Sequence, residues 1–90
     1  MDKKFKQKLT DWAIATDPNN PLDKVRPISQ QLAFKIYEVL GDGKWWKTDA
    51  IATEISRKPS QIRDILQCIK DPWKLESSRR NKEGGGYRRL

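Results

Sequence analysis

The chain has 90 residues, in which 19 Lys and Arg residues outnumber 12 Asp and Glu residues, giving a net charge of +7 at pH 7. This length suits one small domain and excludes a large enzyme core, while four Trp, two Tyr and two Phe indicate a folded core rather than a disordered tail. The positive charge favours polyanionic partners, nucleic acid before an anionic membrane surface.

The basic residues are concentrated in the second half of the chain. Residues 44–90 hold 12 of the 19 Lys and Arg residues but only six of the 12 Asp and Glu residues. The single cysteine, Cys68, cannot form a disulfide within the chain, and the basic start is followed by no apolar stretch of the signal-peptide type. We therefore expect an intracellular, cytoplasmic protein without a membrane-spanning segment.

The first predicted element is an amphipathic helix over residues 3–15. Its apolar positions recur at helical spacing: Phe5, Leu9, Trp12 and Ala13. The segment "TDPNNPLDKVRP" then has three prolines and no periodicity, which predicts a linker or an irregular arm. This divides the chain into an N-terminal helix with its linker, residues 1–27, and a second unit, residues 28–90.

A core helix is predicted between Ser29, as N-cap, and Gly41, just past the C-terminal cap. One face of this helix is apolar: Leu32, Ala33, Ile36, Val39 and Leu40. Phe34 projects away from that face and gives the helix a second apolar surface. The stripe of Phe5, Leu9 and Trp12 is a candidate to cover it, either within one chain or across a dimer.

Four further elements complete the predicted order. "KWWKT" suits a brief strand, and Thr48 is the predicted cap of a helix that ends at Ser56. Pro59 is well placed as the first residue of another helix, which extends to about Lys70. Its inward positions are Ile62, Ile65, Leu66 and Ile69. The final segments "WKLESSRR", "NKEGGG" and "YRRL" predict a β-hairpin with a basic loop.

In this order the elements resemble the winged-helix, or winged helix-turn-helix, DNA-binding family. The resemblance covers residues 28–90, with "ISQQLAFKIYEVLGDG" as the first family helix, "KWWKT" as the small strand and "DAIATEIS" as the second helix. "KPSQIRDILQCIKD" is similar to the recognition helix, over about residues 59–70, and the wing follows over about 73–90. The predicted fold class is mainly α with a small β-sheet, preceded by an extra N-terminal helix.

The resemblance implies that the recognition helix lies in the major groove of DNA while the wing contacts the backbone or minor groove. The candidates for base contacts are Ser60, Gln61, Arg63, Asp64 and Gln67. Arg63 suits guanine and Gln67 suits adenine. Asp64 either accepts a hydrogen bond from cytosine or pairs with a neighbouring arginine.

Candidates for contacts with the DNA backbone lie near helix starts, in the turn between the last two helices, or in the hairpin. They are Lys47, Thr48, Arg57, Lys58, Lys70, Arg79, Arg80, Lys82, Arg88 and Arg89.

The sequence offers little for catalysis. With no histidine and one cysteine, a zinc site has almost no ligands, and "EGGGY" lacks the Lys and Ser or Thr of a phosphate-binding P-loop. Cys68 suits a semi-buried small residue better than a nucleophile. No set of nucleophile, base and orienting group is visible, so we expect no enzymatic activity, no cofactor and no metal.

The expected function is sequence-specific or structure-guided binding of double-stranded DNA, as a transcriptional regulator or as an accessory factor in replication or mobile-element control. A second hypothesis is a protein-interaction module without DNA binding, because fold does not fix function. Its docking residues are Phe5, Leu9, Trp12 and Phe34. Structured RNA is a third, less favoured ligand. A homodimer through the N-terminal helix is also expected, since one recognition helix reads few base pairs.

Overall fold

The computed structural model describes residues 3–19, 26–78 and 86–89. These residues form the helices α1 (Lys3–Ile14), α2 (Ile28–Val39), α3 (Thr48–Ile55) and α4 (Pro59–Ile69), followed by the strands β1 (Leu75–Ser78) and β2 (Gly86–Arg89). The two strands pair as one antiparallel sheet. The predicted fold class, mainly α with a small β-sheet, is confirmed.

The helix α4 is at the centre of the core, because α1, α2 and α3 all pack against it. Its predicted inward residues are fully buried: Ile62, Ile65, Leu66 and Ile69. Pro59 is at the start of α4, as predicted, where its missing amide hydrogen costs no helical hydrogen bond. The helical periodicity of the sequence therefore fixes which face of α4 points outward.

The helix α1 packs within the same chain, mainly on α4. Leu9 and Ala13 are buried in the common core, and the ring of Trp12 meets the ring of Phe34 edge to face at 5.4 Å between centroids. Of the stripe predicted to cover α2, only Phe5 remains substantially exposed, at 40%. Leu9 and Trp12 therefore have packing partners within the chain, and the homodimer through the N-terminal helix stays a prediction.

Three predicted helix ends are wrong in detail. Ser29 lies inside α2 and is buried, because the helix already begins after Pro27. At the other end, α2 continues through a 3-10 turn, Leu40–Asp42, and the left-handed residue is Gly43 rather than Gly41. Thr48 is the first residue of α3, and no side-chain hydrogen bond caps this helix.

The predicted strand in "KWWKT" is reduced to a single bridge. Trp46 exchanges two backbone hydrogen bonds of 2.8 Å with Tyr87 of β2. Asp42 holds this segment, because its carboxylate accepts hydrogen bonds from the amide of Lys44 at 2.9 Å and the indole of Trp46 at 3.1 Å. The Lys44 and Trp46 hydrogen bonds lower the pKa of the Asp42 carboxyl, so this stabilisation is lost as the pH falls through that lowered pKa.

The predicted hairpin is confirmed for its two arms. The register pairs Leu75 with Arg89 and Ser78 with Gly86. Its loop, with the predicted DNA contacts Arg79, Arg80 and Lys82, lies outside the described residues.

Gly86 is the point at which the hairpin joins the helical part, and it tolerates no side chain. Its φ is +122°, and a Cβ there would overlap the carbonyl of Trp46. We expect Gly86→Ala to lower the free energy of unfolding by about 2–3 kcal/mol, since strain at such a φ costs about 1–3 kcal/mol before the overlap is relieved. Chemical denaturation monitored by tryptophan fluorescence measures this loss.

Gly43→Ala is the matched control for that substitution. Gly43 also has a positive φ, +74°, but a Cβ there meets no atom within 4 Å. The expected loss is about 1 kcal/mol, from the backbone conformation alone. An equal or larger loss at Gly43 would contradict the close approach between Gly86 and Trp46.

Candidate functional site

An open groove of about 400 Å³ runs between the outward face of α4, the start of α3 and the hairpin. Among the described residues, three cations line it, Lys47, Arg63 and Lys70, against one carboxylate, that of Asp49. The remaining lining residues are mostly polar: Thr48, Gln67, Ser77, Ser78, Gly86 and Tyr87. The groove therefore attracts anions, and its walls offer several hydrogen-bond donors.

The helix α4 supplies the floor of this groove. Arg63, Gln67 and Lys70 follow one another at intervals of four and three residues, which places them on one side of the helix. Arg63 and Gln67 are exposed, opposite the buried isoleucines. The predicted base-contact residues Arg63 and Gln67 thus lie in the same groove as the predicted phosphate contact Lys70.

The start of α3 forms one wall of the groove. Lys47 directly precedes this helix, and Thr48 begins it. The first amides of a helix have no intrahelical acceptor and carry the positive end of the helix dipole. Together with the ammonium group of Lys47, they make this wall suitable for a phosphate.

The hairpin adjoins this wall through the bridge between Trp46 and Tyr87, and it contributes residues that sequence reasoning, which considered only its basic residues, did not predict. Ser77 and Tyr87 face each other in the strand register and both line the groove. Their hydroxyl groups are additional hydrogen-bond donors. Alternation along the strands shows which residues share a face, but the sequence does not reveal which face meets α4.

The turn between α3 and α4 carries a second group of predicted contacts. Arg57 and Lys58 line a shallow concavity there together with Gln61, and Ser60 is exposed beside them at the start of α4. Ser56 makes this turn possible by adopting a left-handed conformation, with φ at 63°. Arg57 and Lys58 are exposed, as a backbone contact requires.

Asp64 lies on the α1 side of the outward face of α4. Its carboxylate is 3.8 Å from the ammonium nitrogen of Lys6 in α1, with the two side chains 28% and 38% exposed. A lysine of the N-terminal helix is therefore one cationic neighbour of Asp64, and its pairing with an arginine or with cytosine stays a prediction. Folding alone reveals this pair, because the residues are far apart in the chain.

Arg88 and Arg89, predicted as phosphate contacts, have partners within the chain. Arg88 donates to Glu76, its cross-strand neighbour, at 2.7 Å and lies 4.8 Å above the ring of Trp45. Arg89 lies 3.9 Å above the ring of Tyr37 and donates to the Tyr37 carbonyl at 3.2 Å. These contacts hold β2 against β1, Trp45 and α2, so both guanidinium groups are engaged within the chain.

The aromatic candidates for docking are mostly engaged in an internal cluster. Trp12, Phe34 and Tyr37 surround the buried ring of Trp73 at centroid distances of 5.5–5.7 Å. Leu9 is only 4% exposed. Phe5 is the most exposed of the four docking candidates.

Cys68 is more buried than the sequence suggested. It is 3% exposed, and its Sγ lies 3.6 Å from the carbonyl oxygen of Lys6. The packing of α1 against α4 encloses it, which the sequence of α4 alone does not predict. Within the described ranges, no cluster of three or more His, Cys, Asp or Glu residues is suited to hold a metal ion.

No helix among residues 3–19, 26–78 and 86–89 has the length and apolar character that crossing a membrane requires. Comparison of the chain with protein-family models, with curated proteins and with solved structures gives no match.

Proposed function

We propose that this chain binds double-stranded DNA through the outward face of α4 and the groove beside it. The observation that supports this best is the convergence of Lys47, Arg63 and Lys70 in one groove. These cations come from the start of α3 and from α4, so the fold brings together charges that the sequence separates. In this arrangement α4 enters the major groove, which is wide enough to admit a helix.

The residues divide into two roles. Arg63 and Gln67 project from the middle of α4 and read base edges, where each good bidentate contact contributes about 1–3 kcal/mol of discrimination. Lys47 and Thr48, at the wall of the groove, and Lys70, on its floor, hold a phosphate group. Arg57 and Lys58 add backbone contacts at the α3–α4 turn, which position the protein without specifying sequence.

The biological role that suits such a module is transcriptional regulation or assistance to replication or mobile-element control. The order α2, Trp46 bridge, α3, α4 and hairpin supports membership of the winged-helix class. A docking module that uses the N-terminal aromatic stripe is less well supported, because Leu9 is buried and Trp12 packs on Phe34 and Trp73.

A salt titration of duplex DNA binding, with random duplex as competitor, tests the proposal. If about five phosphates are contacted, a plot of log K against log salt should have a slope near −4.5.

A duplex RNA of the same sequence is the control ligand, since its deep and narrow major groove does not admit side chains. We expect at least about tenfold weaker binding to RNA. A flat salt response, or no binding at low salt, would contradict DNA binding; equal affinity for RNA would contradict the placement of α4 in the major groove.

A further inference from the structure

The helix α1 lies outside the winged-helix part, yet it borders the outward face of α4. The carbonyl of Lys6 meets Cys68 at 3.6 Å, and the carbonyl of Ala13 accepts a 3.0 Å hydrogen bond from the indole of Trp73, just beyond α4. The residue later in α1, Ala13, contacts the residue later in the other segment, Trp73, so α1 runs in the same direction as α4. The N-terminal end of α1 therefore points toward the start of α4.

The lysines of α1 fall on two opposite sides of its buried stripe. At 100° per residue, Lys3 and Lys6 lie on one side of Leu9, and Lys4 and Lys8 lie on the other. The structure identifies both sides. Lys6 faces Asp64 of α4, whereas Lys8 lines a concavity between α1 and the start of α2. Lys3 is one turn before Lys6 and lies on the α4 side.

We infer that Lys3 and Lys6 form a second phosphate-binding edge, on the side of α4 opposite the Lys47 and Lys70 groove. This rests on the proposed function. A helix with its side chains is about 10–12 Å wide, close to the roughly 12 Å width of the major groove. Elements on the two sides of an inserted helix consequently meet the two opposite DNA strands.

Lys6 also neutralises the charge of Asp64. The carboxylate of Asp64 projects from the face that meets DNA, where it repels phosphates. The ammonium group of Lys6 at 3.8 Å offsets that charge while α4 approaches the duplex. The N-terminal helix thus adds charge to the interface as well as apolar packing to the core.

Two double variants of the full chain test this inference. Lys3→Ala/Lys6→Ala and Lys4→Ala/Lys8→Ala each remove two charges from the same helix. We expect the first to reduce the steepness of the salt dependence by about 1.8, at about 0.9 per phosphate contact, and to weaken binding at least tenfold at 0.1 M salt. The second should change the slope by less than about 0.5. Circular dichroism melts verify that both variants are folded.

A third variant separates the two tasks of Lys6. In Lys6→Ala/Asp64→Asn the repulsive carboxylate is removed with its partner, so we expect severalfold tighter binding than in Lys6→Ala alone. No recovery would contradict the neutralising role. If the wild type binds DNA but Lys3→Ala/Lys6→Ala and Lys4→Ala/Lys8→Ala lose affinity equally, the second phosphate-binding edge is wrong and the proposed function stands. If the wild type does not bind DNA, the proposed function fails and this inference fails with it.

Discussion

Replacing Trp73 by alanine should lower the free energy of unfolding by about 3–5 kcal/mol, the usual cost of deleting a large buried aromatic side chain. The ring of Trp73 contacts the rings of Trp12, Phe34 and Tyr37, so its removal leaves a cavity where α1, α2 and the segment after α4 meet. A 90-residue domain has only about 5–13 kcal/mol of stability in total. The substitution therefore removes a large share of the total stability. Urea denaturation followed by circular dichroism measures this change in the free energy of unfolding.

Trp73→Phe is the matched control, since it retains most of the apolar contacts and removes the indole hydrogen bond. That bond links Trp73 to the carbonyl of Ala13 at 3.0 Å, and a typical buried hydrogen bond contributes about 1 kcal/mol. The Ala13 carbonyl also accepts from the Thr16 amide at 3.3 Å, so it does not lose every partner. We expect a loss of about 1–2 kcal/mol. An alanine variant as stable as the phenylalanine variant would contradict the central position of this ring.

The sequence predicts the helices well where burial is periodic. The inward face of α4 follows from four apolar residues at helical spacing, and Pro59 marks the start of the helix. The helix ends are predicted less well, because several residues near each end suit a cap and local preference differs little between them. Gly41 and Gly43 illustrate this, since either glycine accepts a left-handed conformation and only the 3-10 turn selects Gly43.

The partner of α1 could not be predicted from the sequence. Its apolar stripe matches any apolar surface of suitable width, and the exposed side of α2 was one such surface. The structure places α1 mainly against α4, while Trp12 contacts Phe34 of α2, the one part of the suggested covering of α2 that is borne out. The Lys6–Asp64 pair and the burial of Cys68 both depend on this docking, so neither was accessible before the fold was known.

The candidate site was predicted in part, in the sense that its residues on α4 share one face by periodicity alone. The groove itself depends on long-range packing, because the bridge between Trp46 and Tyr87 sets the distance from the hairpin to α3. In the folded chain Arg88 donates a hydrogen bond to Glu76, and Arg89 donates one to the carbonyl of Tyr37. A count of charges in sequence cannot distinguish arginines that fasten a strand from cations that line a groove.

Removing the three groove cations together should have the largest effect on DNA binding. In Lys47→Gln/Arg63→Gln/Lys70→Gln, three contacts with phosphates or bases are lost. Lys47 and Lys70 are the proposed phosphate contacts, so the salt dependence should become less steep by about 1.8, roughly sixtyfold in affinity at 0.1 M salt relative to 1 M. Loss of the Arg63 base contact removes a further ~1–3 kcal/mol at the preferred base pair, so the total loss exceeds a hundredfold. Fluorescence anisotropy with a labelled duplex over a range of salt concentrations measures both quantities.

The control for this triple variant removes the same charge elsewhere. Lys4, Lys8 and Lys35 are exposed residues of α1 and α2 and none of them lines the groove. Their replacement by glutamine should weaken binding less than about tenfold, because charges farther than a Debye length of about 10 Å at 0.1 M salt are largely screened. Equal losses in the two triple variants would mean that net charge alone attracts DNA, and the assignment of the groove would then be wrong. A larger loss in the groove variant than in the control variant would support the groove as the binding site. In addition, Arg63→Ala alone should relax the preference for one base pair, whereas removal of a phosphate contact should weaken binding to all sequences alike.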